Sequence, residues 1–192
     1  MWTKEVCGID VYHLVSCFYL FSVLGWMVES IYMSICNKKL TNRGFMKGPF
    51  CPIYGVGAVA GYLLLHPLAG DYVKLYIAGA VSATIFEFLV AKLMLKLFGE
   101  VWWDYKEKPC NYKGIICLES TLAWGVYAIV IITFLFDKVI SFIDRYPMAI
   151  GMKVCIFVMF TASFDFLYHF CQAKNIRVRL PFIGRFLYKK RN

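Results

Sequence analysis

Five apolar segments divide the sequence, and each is close to the length that an α-helix needs to cross the hydrocarbon core of a membrane. The segments run over residues 11–36, 50–66, 73–97, 115–136 and 147–172. The stretches between them are rich in Pro, Gly, Asn and charged residues, which are typical of loops. The pattern predicts an all-α integral membrane protein: a single domain over residues 1–192 that forms a bundle of about five transmembrane helices.

Composition agrees with this interpretation and excludes several classes of protein. Hydrophobic residues make up 60% of the 192 positions, charged residues only 17%, and the mean hydropathy is +0.62. The chain has no space for a second soluble domain and lacks the G-x-x-x-x-G-K-[ST] phosphate loop, so ATP hydrolysis of that kind requires a partner. The eight cysteines include no C-x-x-C pair. We therefore expect neither a metal site nor a cofactor.

The basic residues predict how the chain is oriented, because loops rich in Lys and Arg stay on the cytoplasmic side. They are concentrated in the loops 37–49 and 98–114 and in the tail 173–192. We predict an outside N-terminus, a cytoplasmic C-terminus and a multi-pass protein of the plasma membrane. The tail is expected to lie on anionic lipids of the inner leaflet. This distribution also accounts for the net charge of +9, so we do not expect nucleic-acid binding.

Four carboxylic acids fall inside the predicted spans, where an ionisable group is costly unless it faces protein or water. These acids are Glu29, Glu87, Glu119 and Asp165. All four lie in the predicted cytoplasmic half of their spans, and packed helices would converge them on an acidic cavity open to the cytoplasm. They cannot all stay ionised in a low dielectric, so some are protonated or a cation neutralises them. The candidate cations are Arg43, Lys92 and His169.

Two of the acids have specific alternatives. His169 follows Asp165 by one helical turn, so the two side chains form either a proton relay or an ion pair, and we favour the ion pair. Glu119 lies at a helix N-terminus, where a negative charge is favourable, and is the acid that we expect to have no functional role.

Two loops carry the other candidate residues for substrate binding or gating. The first is the stretch 41–55, with Asn42, Arg43 and Tyr54, and the second follows the third span, with Trp103, Asp104, Tyr105 and Asn111. The guanidinium of Arg43 suits a carboxylate or phosphate. The tandem tryptophans fit either an interfacial belt or a stacking surface for a ligand. We also note a faint repeat, since spans one and three each carry a Glu and lead to a loop with a Pro about twenty residues later.

Several local motifs resemble the CmpB-type family of bacterial ABC transporter permeases. They are Gly25-Trp26-x-x-Glu29, Asn42-Arg43-Gly44-Phe45, Gly48-Pro49-x-x-Pro52-Ile53-Tyr54-Gly55 and Trp102-Trp103-Asp104-Tyr105 with Pro109, Asn111 and Gly114. The resemblance covers residues 12–136. It implies a small permease partnered by an ATPase, identifies no cargo, and leaves Asp165 and His169 outside the matched region.

Two functions follow as expectations. The first is a permease-like transport subunit, with an ATPase subunit or a second copy of the chain as its partner. The alternative is an intramembrane enzyme or lipid-handling protein at the inner leaflet, with Glu29 or Glu87 as general acid or base and Arg43 as a head-group clamp. A scaffold, in which the buried acids only form ion pairs, is the third possibility.

Overall fold

The computed structural model describes residues 2–42 and 44–173, so Arg43 and the basic residues of the tail beyond 173 lie outside the described part. Within that part the chain forms five helices. They are α1 (Val11–Asn37), α2 (Pro52–Leu65), α3 (Tyr72–Phe98), α4 (Leu118–Ile143) and α5 (Met148–Ala173). All except α2 are long and apolar enough to cross a membrane. The predicted all-α membrane fold is therefore confirmed.

Two small antiparallel hairpins complete the described elements. The strands β1 (Glu5–Val6) and β2 (Ile9–Asp10) pair directly before α1. The strands β3 (Asn111–Tyr112) and β4 (Ile116–Cys117) pair directly before α4. The strand β4 occupies positions that hydropathy assigns to the fourth span, which shows that apolar composition alone does not locate the start of that helix.

The loop predicted over residues 137–146 is wrong for most of its length, because α4 continues to Ile143. A π-helical turn over Ile131–Leu135 interrupts the α-helix without ending it. Beyond this turn Phe136, Val139 and Ile143 are buried while Asp137 is exposed. This amphipathic spacing, rather than continuous hydrophobicity, extends the helix.

Glycines let the helices pack in two antiparallel pairs, α1 with α2 and α3 with α4. In the first pair, a Cβ on Gly55 would overlap the carbonyl oxygen of Phe18 and the hydroxyl of Ser22. In the second pair, a Cβ on Gly79 would overlap the Cβ of Ala128. The backbones therefore approach more closely than any larger residue allows.

The core lies where α1, α2 and α4 meet. The ring of Phe136, which is fully buried, stacks on Tyr62 at 3.7 Å between centroids and on Phe21 at 5.5 Å. Because the three rings come from three helices, their contact fixes the relative positions of the two helix pairs.

Helix α5 lies at the edge of the bundle. Only 6% of its most apolar 18-residue stretch is buried, compared with 28% for α1. It touches α1 where Ser16 and Cys155 approach to 3.4 Å and where Gly151 leaves room for Tyr12. Most of the surface of α5 therefore faces away from the bundle.

Candidate functional site

Glu87 is the most deeply buried acid of the described residues, with 7% of its surface exposed. Its carboxylate accepts hydrogen bonds from Tyr105 Oη at 3.0 Å, Trp124 Nε1 at 3.2 Å and Ser120 Oγ at 3.4 Å. All three donors are neutral, so they stabilise a negative charge without cancelling it. Sequence analysis missed Ser120 and Trp124, although their spacing of four residues places both on one face of an apolar helix.

Lys92 is not the partner of Glu87 within the described part of the chain. Its ammonium lies 5.4 Å from the centroid of the Phe88 ring, on the adjacent side chain of α3. This candidate cation therefore does not neutralise Glu87, because a separation of five residues turns the two side chains of a helix away from each other.

Glu29 is half-buried in α1 and also binds a tyrosine. The hydroxyl of Tyr54, in the first turn of α2, donates to Glu29 Oε2 at 2.8 Å. A Cβ on Gly25 would overlap the Tyr54 ring, so this glycine is what lets the tyrosine reach the acid.

The same local arrangement holds both acids. Cys51 and Cys117 are the N-cap residues of α2 and α4. Three residues after each cysteine a hydroxyl, that of Tyr54 or of Ser120, donates to the acid of the preceding long helix. The repeat suspected from the sequence thus has a structural counterpart in how each acid is held.

The loop after α3 is folded by the residues that the sequence marks as candidates. Trp103 Nε1 donates to the carbonyl of Ile115 at 2.8 Å, and Asp104 Oδ1 accepts from the amide of Lys106 at 2.9 Å. The latter hydrogen bond lowers the pKa of Asp104 below its usual value. Asn111 donates to the carbonyl of Lys106 at 3.1 Å. These three candidates shape the loop and have no described contact with the buried acids.

Tyr105 is the residue of this loop that contacts the buried acid Glu87. Its amide donates to the carbonyl of Gly114 at 2.9 Å, which fixes the backbone while the side chain extends to Glu87. Burial, and then the nearby carboxylate of Glu87, raises the pKa of Tyr105 above its usual value. The phenol therefore stays protonated and remains a hydrogen-bond donor at neutral pH.

The first loop is tied to the helices by Asn42 and Phe45. Asn42 accepts from Trp26 Nε1 at 2.7 Å and donates to the carbonyl of Lys47 at 3.0 Å. Phe45 stacks on Trp102, with 5.0 Å between ring centroids and 9° between planes. The two loop motifs therefore meet through this stack. Arg43, which lies between Asn42 and Phe45 in the sequence, is outside the described part.

Asp165 joins α5 to the first loop. Its Oδ2 accepts from the backbone amides of Lys47 and Gly48, each at 3.0 Å. Its Oδ1 lies 3.1 Å from Nδ1 of His169, the geometry of the expected ion pair. The carboxylate is therefore used to anchor a loop, in a place separate from Glu87.

Glu119 forms an exposed pair with Lys108 at 2.9 Å. The hydrogen bond to Glu119 raises the pKa of Lys108 above its usual value. An exposed pair contributes little to stability, in keeping with the expectation that this acid has no functional role. Of the four acids, only Glu29 and Glu87 accept a hydrogen bond from a tyrosine hydroxyl among the described residues.

We expect Asp165→Ala to release the first loop, because two amides lose their shared acceptor. Hydrogen exchange at the Lys47 and Gly48 amides should accelerate by about tenfold or more, a loss of about 1.4 kcal/mol of local protection. Asp165→Asn is the matched control, since its carbonyl oxygen still accepts one or both hydrogen bonds. Equal exchange in the wild type and the alanine variant would show that the loop is held by other contacts.

Comparison with known proteins gives one match. The family described as "Putative ABC-transporter type IV" matches residues 16–170, well over half of the chain. No curated protein and no solved structure matches it significantly. Four helices able to span a membrane and a family of transporter type define a multi-pass membrane protein consistent with a transport subunit. The chain belongs to this family, and the match includes Asp165 and His169, beyond the range of the sequence motifs.

Proposed function

We propose that the protein is a permease-like subunit whose substrate or coupling ion contacts an acidic site between the two helix pairs. Glu29 and Glu87 are the central residues of this site, and Tyr54 and Tyr105 gate it. The observation that carries the proposal is the environment of Glu87, which is buried in a membrane helix with three neutral donors. Holding an acid in that way costs free energy, which supports a function for it.

The site is proposed to open to the cytoplasm. The basic loops 37–49 and 98–114, which flank the two acids in sequence, support this orientation. It requires an outside N-terminus, five crossings including the short α2, and the plasma membrane as location. The whole chain then acts as one domain, with the basic tail 173–192 on anionic lipids.

The loop candidates have supporting roles in this proposal. Asn42, Trp103, Asp104 and Asn111 keep the two loops in the conformations that aim the tyrosines at the acids. Arg43, two residues before the stacked Phe45, is proposed to bind the anionic part of a substrate. Asp165 and His169 hold the first loop to α5.

The first experiment is native mass spectrometry of the full chain extracted with its surrounding membrane. We expect a co-extracted subunit that carries the phosphate loop this chain lacks and that hydrolyses ATP when isolated with it. As a control, an unrelated five-helix membrane protein extracted in the same way should carry no such subunit. A stand-alone monomer or homodimer without such a subunit would contradict the proposal and favour an intramembrane enzyme with Glu87 as the acid or base.

A further inference from the structure

A continuous apolar groove runs between α1 and α5, apart from the buried acids. It consists of two cavities of about 430 and 450 Å³ that share Phe18, Tyr19 and Met159 in their linings. The lining side chains are hydrophobic apart from Ser163. Val59 of α2 lines one cavity and Pro52 lines the other, so the groove lies over the α1–α2 pair.

Two specific contacts hold the walls of the groove together. Beside the first cavity Ser16 and Cys155 bring α1 and α5 into contact, 3.4 Å apart. Beside the second, Asp165 binds the backbone of the first loop, whose Met46 and Phe50 line the groove. The groove is therefore a feature of the fold rather than a gap between two unconnected helices.

The rim of the groove is open toward the surface. Ile156 is 40% exposed and Met159 is 47% exposed, and both contribute to the lining. Along membrane-spanning helices this surface meets the hydrocarbon of the bilayer, so acyl chains have direct access to the groove.

The shape of the groove favours a long, narrow apolar occupant. Its lining on α5 runs from Cys155 to Leu167, which is more than three turns long at about 1.5 Å per residue. A single extended hydrocarbon chain matches this length and the apolar lining.

A positive charge where the first loop meets the groove indicates which head group the bound hydrocarbon chain carries. Lys47 is exposed and directly follows Met46, which lines the groove. Its amide is used by Asp165, but its ammonium has no described ion pair within residues 2–42 and 44–173. An ammonium at the end of an apolar groove suits the phosphate of a lipid head group.

We propose that the groove binds one acyl chain of a bilayer phospholipid whose anionic phosphate lies at Lys47. This lipid is a specific ligand of the α1–α5 junction. The site is separate from Glu29 and Glu87, so it holds whether or not the protein is a transport subunit.

The test uses the full chain in vesicles of phosphatidylcholine and phosphatidylglycerol, doped with phosphatidylglycerol that carries a photoreactive acyl chain. Mass spectrometry of the irradiated protein is expected to find adducts at Phe18 and Met159 that unlabelled phosphatidylglycerol suppresses. Adducts at Phe157, 68% exposed and outside the lining, serve as the bulk-lipid reference and should not be suppressed at the same concentrations. Identical labelling and suppression at the three residues would overturn the proposal.

A matched pair of variants distinguishes the effect of blocking the groove from the effect of adding a tryptophan anywhere on α5. Ala162→Trp places a ring in the groove, and we expect it to lower the adducts at Met159 by about tenfold, which corresponds to a tenfold weaker affinity. Thr161→Trp, one residue away and outside the lining, should leave them unchanged. Equal labelling in the two variants would contradict the site. Disulfide crosslinks between two copies of an Ala162→Cys variant, with no lipid retained, would overturn the proposal and make the groove a helix interface.

A second pair of variants tests the position of the lipid head group. It also tests the lipid site if Ala162→Trp does not fold. Lys47→Glu should weaken suppression by phosphatidylglycerol about tenfold, because it replaces an attraction by a repulsion. Lys113→Glu, in the hairpin between β3 and β4, makes the same change of charge elsewhere and should have no effect. An equal response of the two variants would overturn the assignment of the phosphate to Lys47.

Discussion

Gly55→Ala is expected to lower the free energy of unfolding by about 1–3 kcal/mol, the range typical of overpacked interiors. The added Cβ would meet the backbone oxygen of Phe18, which cannot rotate away as a side-chain end can. The hydroxyl of Ser22, which donates to that same oxygen at 2.7 Å, blocks the other side. The α1–α2 pair must therefore separate to accept one methyl group. Thermal unfolding in detergent, followed by tryptophan fluorescence, measures the change.

Gly61→Ala is the matched control, because the residue lies in the same helix and a Cβ added there would meet no atom within 4 Å. The substitution removes backbone freedom from the unfolded chain, so we expect an unchanged or slightly higher unfolding temperature. Two glycines of one helix then have effects of different sign. If both variants unfold like the wild type, the close contact of α1 and α2 is absent in the protein.

Glu87→Gln is expected to lower activity strongly without loss of stability. The amide keeps the size of the side chain and one oxygen that accepts from Trp124, while its NH₂ group can donate to the Tyr105 hydroxyl. It also removes the cost of a buried carboxylate without a cationic partner, so the unfolding temperature should stay equal or rise. ATP turnover of the proposed complex with an ATPase subunit, measured in vesicles, should fall by about tenfold or more, which is about 1.4 kcal/mol or more.

Glu119→Gln controls for a change of charge in a membrane protein. This acid is exposed and paired with Lys108, so turnover and unfolding temperature should both remain close to those of the wild type. The two glutamates thus differ in burial and not in the substitution. If the Glu87→Gln variant has an unfolding temperature several degrees below that of the wild type but retains turnover, Glu87 is a structural residue and does not belong to the proposed site.

Parts of the site could be predicted because each is visible in a short stretch of sequence. A carboxylate inside an apolar span is conspicuous, and Glu29 and Glu87 were found in this way. Asp165 and His169 lie side by side, 3.1 Å apart, because one helical turn separates them, and their ion pair stays a prediction. Lys92, one of the candidate cations, lies over the Phe88 ring instead, since five residues along a helix do not bring it to Glu87.

The partners of the acids could not be predicted, because they come from distant parts of the chain. Tyr54 follows its acid by 25 residues, and Trp124 follows Glu87 by 37. Trp103, Asp104 and Asn111 attract attention in the sequence as ligand contacts, yet they fold their own loop. The type of a residue does not reveal whether its hydrogen bonds go to its own loop or to another helix.

The sequence by itself determined the class of the protein, because the thickness of a bilayer sets the length of an apolar segment and because an acid within such a segment is costly. It also marked the glycines and tyrosines without indicating what they meet. Only the tertiary structure decided that α4 continues past its apolar part, that α5 stands at the edge, and that two tyrosines reach two acids. These features depend on how closely helices approach, and that distance is set by pairs of side chains that are far apart in the sequence.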